Sequence, residues 1–358
     1  MATQDAGARL HEIMRERSAS GGLPAAECCG ASEEPRPHDS LAVPEGGGTA
    51  AVCPEDREPC PAPLTASEVV TRMRADAPLW TLEHGGRTIL GRTFGVGPPL
   101  YLLNGLTGTL DLYALLAWVL REHVRCVMFD WPVERSGTRR RREPLDAFAG
   151  DLIAVADLHG DERFAVYGPS FGGLVALAAM LDRPERIERA VLHGAFASRR
   201  LSVFERLLAV LGRTLPGTLA RVPLCEAILR QNRRPWFPPF DAARFQFLLD
   251  DTGRTAIRTL ARRAGLMRRT DLRPRLREIT RPVLLVHTEG EGAVSARAQN
   301  ELTAAIPDVR TEWLHTCGQL PHLTHPHRLA KLLRSFLEDA SGPSVLGRPK
   351  RPSAAATG

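Results

Sequence analysis

The sequence predicts an α/β protein: a mostly parallel central sheet with helices on both faces and a helical cap inserted late in the chain. Three observations carry this expectation. From about residue 100 to residue 337, short apolar runs alternate with helical stretches, the pattern of βαβ units whose strands are buried on both faces. One interval, about 198–278, breaks that rhythm with Arg-rich helical sequence interrupted by Pro216, Pro223, Pro235, Pro238 and Pro239. At 358 residues the chain has room for one such domain with an insertion and for tails outside it.

Taken in order, residues 1–64 are rich in Ala, Gly, Pro, Ser and Glu and lack sustained apolar periodicity, so they read as a disordered leader. The run Ala8 to Arg17 could form a helix with nothing to pack on. From Thr65 the texture changes, and the folded domain spans 65–340. Ser67 to Ala75 suits a short helix. Leu79 to His84, then Gly85-Gly86, then Arg87 to Leu90 reads as a β-hairpin on a Gly-Gly turn. Strands follow at Leu100–Leu103, Val124–Phe129, Phe164–Tyr167, Ala190–His193, Val283–His287 and Thr311–Leu314. Helices lie between them at Leu110–Arg121, Leu145–Leu158, Gly172–Leu181, Ser295–Ala305 and Arg328–Leu337. The last stretch, 341–358, reads as a disordered tail.

Composition narrows the class. An apolar content of 43% and a charged content of 25% suit a soluble globular protein. No apolar run is long enough to span a bilayer, and the N-terminus carries no readable secretory signal, so the expected setting is the cytoplasm. The net charge of +6 comes almost wholly from Arg, since Lys331 and Lys350 are the only lysines. Arg with abundant Ala and Gly is what a GC-rich genome produces, which is a plainer explanation than a dedicated polyanion site. The seven cysteines include no CxxC pair with zinc-finger spacing. They read as free thiols in a reducing compartment, and neither a metal nor a cofactor is expected.

The chemistry centres on Gly168-Pro169-Ser170-Phe171-Gly172. It follows an apolar strand and precedes a helix of small residues, the setting of a serine nucleophile elbow. Such a strand-to-helix turn lifts the hydroxyl clear of the sheet and leaves no room for bulk beside it, which accounts for the flanking glycines. A second segment, Asn104-Gly105-Leu106-Thr107-Gly108, closes the first central strand. In that scheme the N–H groups of Leu106 and Phe171 form an oxyanion hole; alone, the segment would pass for an ordinary glycine turn.

From about Trp80 to Leu337 the chain resembles the α/β-hydrolase superfamily. Within it, the chain is similar to the maspardin-like group through Asn104 to Thr109, the strand ending Phe129-Asp130-Trp131-Pro132-Val133, Gly168 to Gly173, and Thr316-Cys317-Gly318-Gln319-Leu320-Pro321-His322-Leu323. The resemblance implies a triad in the order Ser, acid, His. The acid falls in Thr288 to Val294, where Glu291 takes the position by spacing and Glu289 is the runner-up; a solvated loop acid is the alternative reading, because the usual Asp is absent. The His belongs just after Gly318, where this chain has Gln319. An amide does not titrate near neutral pH and cannot shuttle the Ser170 proton. Loss of the base in comparable triads costs on the order of a millionfold in turnover. Maspardin-like proteins also depart from His here and are regarded as non-catalytic binding proteins, which agrees with the defect.

His315, His322, His325 and His327 crowd the same stretch. His322 is the substitute base to weigh, although a surface or capping role is the ordinary account. Two charge features remain. Arg139 to Arg142 form a run that is most simply a solvated loop, and Arg199 to Arg275 hold seventeen arginines against six acids. A cap this basic would suit an acidic protein partner, an anionic lipid surface or a phosphorylated ligand, while no nucleic-acid module is recognisable. Two function classes follow: a degenerate hydrolase that binds a protein or a small acyl-type ligand, or an active serine hydrolase on an ester or acyl substrate with an unconventional base. Oligomeric state is not readable from the sequence.

Overall fold

The computed structural model describes residues 64–132, 144–223, 225–239 and 241–339. The leader (except Leu64), the tail from residue 341 and the Arg139–Arg142 run lie outside the described residues. Leu64 is half-buried against an apolar cluster.

Eight strands form one sheet in the order β1-β2-β4-β3-β5-β6-β7-β8. The hairpin of β1 (Trp80–His84) and β2 (Arg87–Phe94) turns at Gly85 and Gly86, both at positive φ, the geometry that a two-residue hairpin turn demands. β2 pairs antiparallel with β4 (Arg125–Asp130). Pairing is parallel from β4 through β3 (Pro99–Leu103), β5 (Phe164–Pro169), β6 (Ile187–His193), β7 (Val283–Thr288) and β8 (Val309–Leu314). The carboxyl ends of β3, β5, β6 and β7 therefore lie along one edge, where open α/β sheets bind ligands.

Alternation along each strand divides the core into two layers. Tyr101 and Leu103 face one layer, which includes α3 (Leu145–Leu158), α4 (Phe171–Asp182) and α9 (Gly292–Ala305). Leu100 and Leu102 face the other, with α1 (Ala66–Asp76), α2 (Ala114–Leu120) and α10 (Pro326–Glu338). Every residue of β5 is buried, which explains its unbroken apolar run. In α4 all residues but Asp182 are buried, so its Gly and Ala content reflects close approach to the sheet rather than intrinsic helix preference.

Between β6 and β7 the chain builds the cap from α5 (Val203–Leu211), α6 (Cys225–Arg233), α7 (Ala242–Gly253) and α8 (Ile257–Arg269). Ser202 and Glu205 start α5 with reciprocal side-chain caps. Phe237, Phe245, Leu248 and Leu249 of the cap pack against Leu112, Leu115 and Leu323 of the main domain. No helix among the described residues is long and apolar enough to cross a membrane.

Candidate active site

Ser170 sits between β5 and α4 at φ 52° and ψ −113°, a conformation that non-glycine residues seldom adopt and that costs of order 1–3 kcal/mol. Its neighbours hold it there. A Cβ added to Gly172 would lie 2.6 Å from the Leu103 carbonyl oxygen, and one on Gly173 would lie 2.6 Å from the Ala195 Cβ. The Ser170 N–H donates to the His193 carbonyl at 2.8 Å, tying the elbow to the end of β6. Among the described residues, no hydrogen bond reaches the Ser170 hydroxyl.

The Asn104–Gly108 loop, the expected oxyanion loop, is held from below and from above. Below, the buried Asn104 side chain donates to the Phe129 carbonyl at 3.0 Å and to Asp130 Oδ1 at 2.9 Å, and Trp131 Nε1 donates to the Asn104 carbonyl at 2.9 Å. Asp130 also accepts from the Leu110 N–H at 2.7 Å, and burial raises its pKa to about 7 against the opposing hydrogen bond. Above, the cap reaches down. Asp251 on α7 accepts from the Thr109 N–H at 2.7 Å and its hydroxyl at 2.6 Å, Thr255 Oγ1 accepts from Gly108 N–H at 3.1 Å, and Arg263 on α8 donates to the Leu106 carbonyl at 3.0 Å. Desolvation raises the Asp251 pKa as well. The Arg263 guanidinium lies 5.8 Å from the Phe171 ring centre, so one cap residue touches both halves of the expected oxyanion hole. Phe171 is the first residue of α4, where a helix leaves its N–H without an internal partner.

The other end of the site departs from the sequence expectation in its details. Glu291 is buried in the turn after β7, while Glu289 faces outward and binds His315 at 3.1 Å and the Thr316 N–H at 3.1 Å. Glu291 Oε2 accepts from the Gln299 side chain, and Oε1 lies 2.9 Å from His193 Nδ1. His193 is the last residue of β6 and is buried. Its Nδ1 also lies 3.0 Å from the Val286 carbonyl, and its Nε2 lies 3.2 Å from the Gln319 carbonyl. The N–H direction favours the Val286 carbonyl, so the approach of Glu291 to the ring is close without being a linear hydrogen bond. Both ring nitrogens thus face oxygens.

Gln319 lies in the turn before the final helices, and its side-chain amide donates to the Glu291 carbonyl at 3.2 Å. His322 is elsewhere. It is buried, with its ring centre 4.8 Å from that of Tyr113 and its Nδ1 3.5 Å from the Tyr167 hydroxyl. Burial pushes its pKa down to about 3, helped by the nearby His193, so the ring is neutral through the physiological range. Cys317 is also buried, and desolvation raises its thiol pKa.

These groups line one cavity of about 810 Å³, which Leu106, Ser170, His193, Glu291, Gln319 and His322 all reach. Cap and domain residues line it together, so the insertion forms the roof over the elbow. Among the described residues no cluster of three or more His, Cys, Asp or Glu could hold a metal ion. The structure thus brings Ser170, Leu106, Glu291, Gln319 and His322 to one cavity, with Phe171 beside it. Sequence reading passed over His193, Asp130, Asp251 and Arg263. A signal existed for His193, a polar residue ending a parallel strand. The other three act through backbone contacts that only the fold creates.

The geometry is that of an α/β-hydrolase, and the comparisons agree. The alpha/beta hydrolase fold family matches residues 98–326, and the chain belongs to it. Curated relatives include a pimeloyl-[acyl-carrier protein] methyl ester esterase of Aromatoleum aromaticum, 27% identical over 56% of this chain and 83% of that protein. Another is a 2-hydroxymuconate semialdehyde hydrolase of Pseudomonas putida, 26% identical over 52% of this chain and 67% of that protein. Among solved structures, an enol-lactonase from Burkholderia xenovorans superposes with a TM-score of 0.62 at 23% identity, over 73% of this chain and all of the other.

Proposed function

We propose that this protein binds an acyl- or ester-type ligand, free or presented by a protein partner, in the cavity over Ser170, and hydrolyses it weakly or not at all. One observation carries the reading: among the described residues, no side chain hydrogen-bonds to the Ser170 hydroxyl to accept its proton. The Gln319 amide cannot titrate and is engaged with the Glu291 carbonyl. His322 is packed against Tyr113, and both nitrogens of His193 face oxygens. The maspardin-like motifs support the same reading, although the relatives described above are named as hydrolases of other kinds. The described cysteines, Cys126, Cys225 and Cys317, are free thiols, which supports a reducing, cytoplasmic setting.

A second reading has its own observation. The 2.9 Å approach of His193 Nδ1 to Glu291 reproduces the acid–imidazole half of a triad with the ring supplied by β6. A shift of the Gln319 carbonyl off Nε2 would free that nitrogen to serve Ser170 as a base.

Hydrolysis of short-chain p-nitrophenyl esters by wild type, Ser170→Ala, His193→Ala, His322→Phe and Gln319→His separates these. The binding reading expects wild type to match Ser170→Ala, with turnover emerging in Gln319→His. Turnover lost in both Ser170→Ala and His193→Ala would replace it with the second reading. Turnover lost in Ser170→Ala and His322→Phe alone would assign the base to His322.

A further inference from the structure

We propose that the cavity over Ser170 is built for a ligand with an anionic group, a carboxylate or phosphate, on an apolar body, and that Arg233 binds that group. The inference rests on the reading that the cavity holds an acyl-type ligand and adds the ligand's charge and the residue that recognises it.

Arg233 ends α6 and lines the cavity. Its Nη1 is enclosed and makes no hydrogen bond, and no ion pair to Arg233 is found among the described residues. Desolvation lowers its pKa from the usual guanidinium value. Neighbouring cap arginines each have a partner: Arg230 pairs with Glu226 at 2.8 Å, Arg244 pairs with Asp241 at 2.8 Å although its Nε is unpaired among the described residues, and Arg234 donates to the Phe237 carbonyl at 3.5 Å. Burying charge without a partner is unfavourable, so a half-buried guanidinium with its Nη1 enclosed beside a cavity marks a place where the ligand supplies the counter-charge. A planar fork of donors matches carboxylate and phosphate oxygens two at a time.

The rest of the wall agrees in sign. Arg199, Arg200, Arg273 and Arg297 also line the cavity, against the two acids Glu291 and Glu301. Glu291 already faces His193 and Gln299. The surrounding cap carries seventeen arginines against six acids between Arg199 and Arg275, so its field draws anions toward the opening. Leu106, Leu219, Leu229, Leu260 and Leu320 supply apolar wall, which suits a hydrocarbon body between the anionic group and the Ser170 end.

The test is calorimetric titration of the full-length protein with three probes: monomethyl adipate, its neutral counterpart dimethyl adipate, and hexyl phosphate. At least one anionic probe is expected to bind wild type about tenfold or more tightly than dimethyl adipate, the scale of one charge-assisted hydrogen-bonded contact. The stronger of the two distinguishes a carboxylate ligand from a phosphate one. Arg233→Met is expected to abolish the preference, Arg233→Lys to keep part of it, and Arg206→Met, on the exposed face of α5, to leave it unchanged. Thermal melts confirm that each variant is folded, and Arg233→Lys carries the test if Arg233→Met is not. Equal affinity for charged and neutral probes, or a preference surviving in Arg233→Met, overturns this inference while leaving the cavity reading standing. Binding by none of the three probes overturns both.

Discussion

The two halves of the site were built under different constraints. At the elbow half, β5 and α4 are buried along nearly their whole length, and the backbone of Ser170 is set by contacts of glycines with Leu103 and Ala195. At the base half, groups at the end of β6, after β7 and β8, and on α9 are joined by side-chain contacts: His193 to Glu291, Glu291 to Gln299, and Gln319 to the Glu291 backbone. The elbow is determined by shape, which steric exclusion enforces whether or not the serine reacts. The base half depends on which side chain can titrate, and under the proposed function one substitution there changes the chemistry without disturbing the fold. A nucleophile elbow is thus evidence of architecture, and the function is decided across the cavity from it.

The largest test of this contrast restores the base. Gln319→His is expected to raise ester turnover by about 10²–10⁴-fold, the usual contribution of a positioned general base, with little change in thermal stability. No gain, in a folded variant, would mean that the base half cannot be repaired by one residue and that His193 holds Glu291 away from the new ring; Gln319→His with His193→Asn would then be the informative pair.

Asp130 provides the next effect. Its folded pKa of about 7 lies above the unfolded value near 3.9, so the folded state holds its proton longer than the unfolded chain. Its contribution to stability is fully present below the unfolded pKa and is lost as pH rises through about 7. Between pH 5 and pH 8 wild type is expected to lose on the order of 2–3 kcal/mol from this group, and Asp130→Asn to lose correspondingly less. Urea denaturation of both proteins at the two pH values measures the difference, and parallel pH profiles would count against it.

Gly172→Ala probes the shape-determined half. The added Cβ meets the Leu103 carbonyl at 2.6 Å, and backbone cannot move aside as a side chain can. A loss of about 1–3 kcal/mol is expected, read from the urea midpoint; an unchanged midpoint would mean the elbow has slack. The smallest effect concerns the cap. Thr255→Val removes the acceptor of the Gly108 N–H at 3.1 Å and should cost about 1 kcal/mol, with faster amide exchange at Gly108 as its local signature.

Much of the floor of the site was legible in the sequence. Unbroken apolar runs gave the parallel strands, the glycines around Ser170 marked the elbow, and Gln319 stands after Gly318 where the resemblance implies a histidine. Each of these signals is local, because burial on both faces and a tight turn constrain neighbouring residues. The roof was less legible. Prolines and arginines marked where the cap begins and ends, but nothing in the order of residues indicated that Asp251, Thr255 and Arg263 would hold Gly108, Thr109 and Leu106. His193 was read as the end of a strand, and its distance in sequence from Glu291 hid their pairing.

The sequence by itself determined the strand–helix alternation, the serine elbow and the absence of a histidine at the position after Gly318, since these depend on periodicity, backbone freedom and residue identity. Only the tertiary structure decided which histidine meets the buried acid, where His322 points, and that Arg233 lines the cavity without a counter-ion among the described residues. Those outcomes depend on desolvation and on distances between residues far apart in the chain, and both arise only when the sheet edges and the cap are brought together.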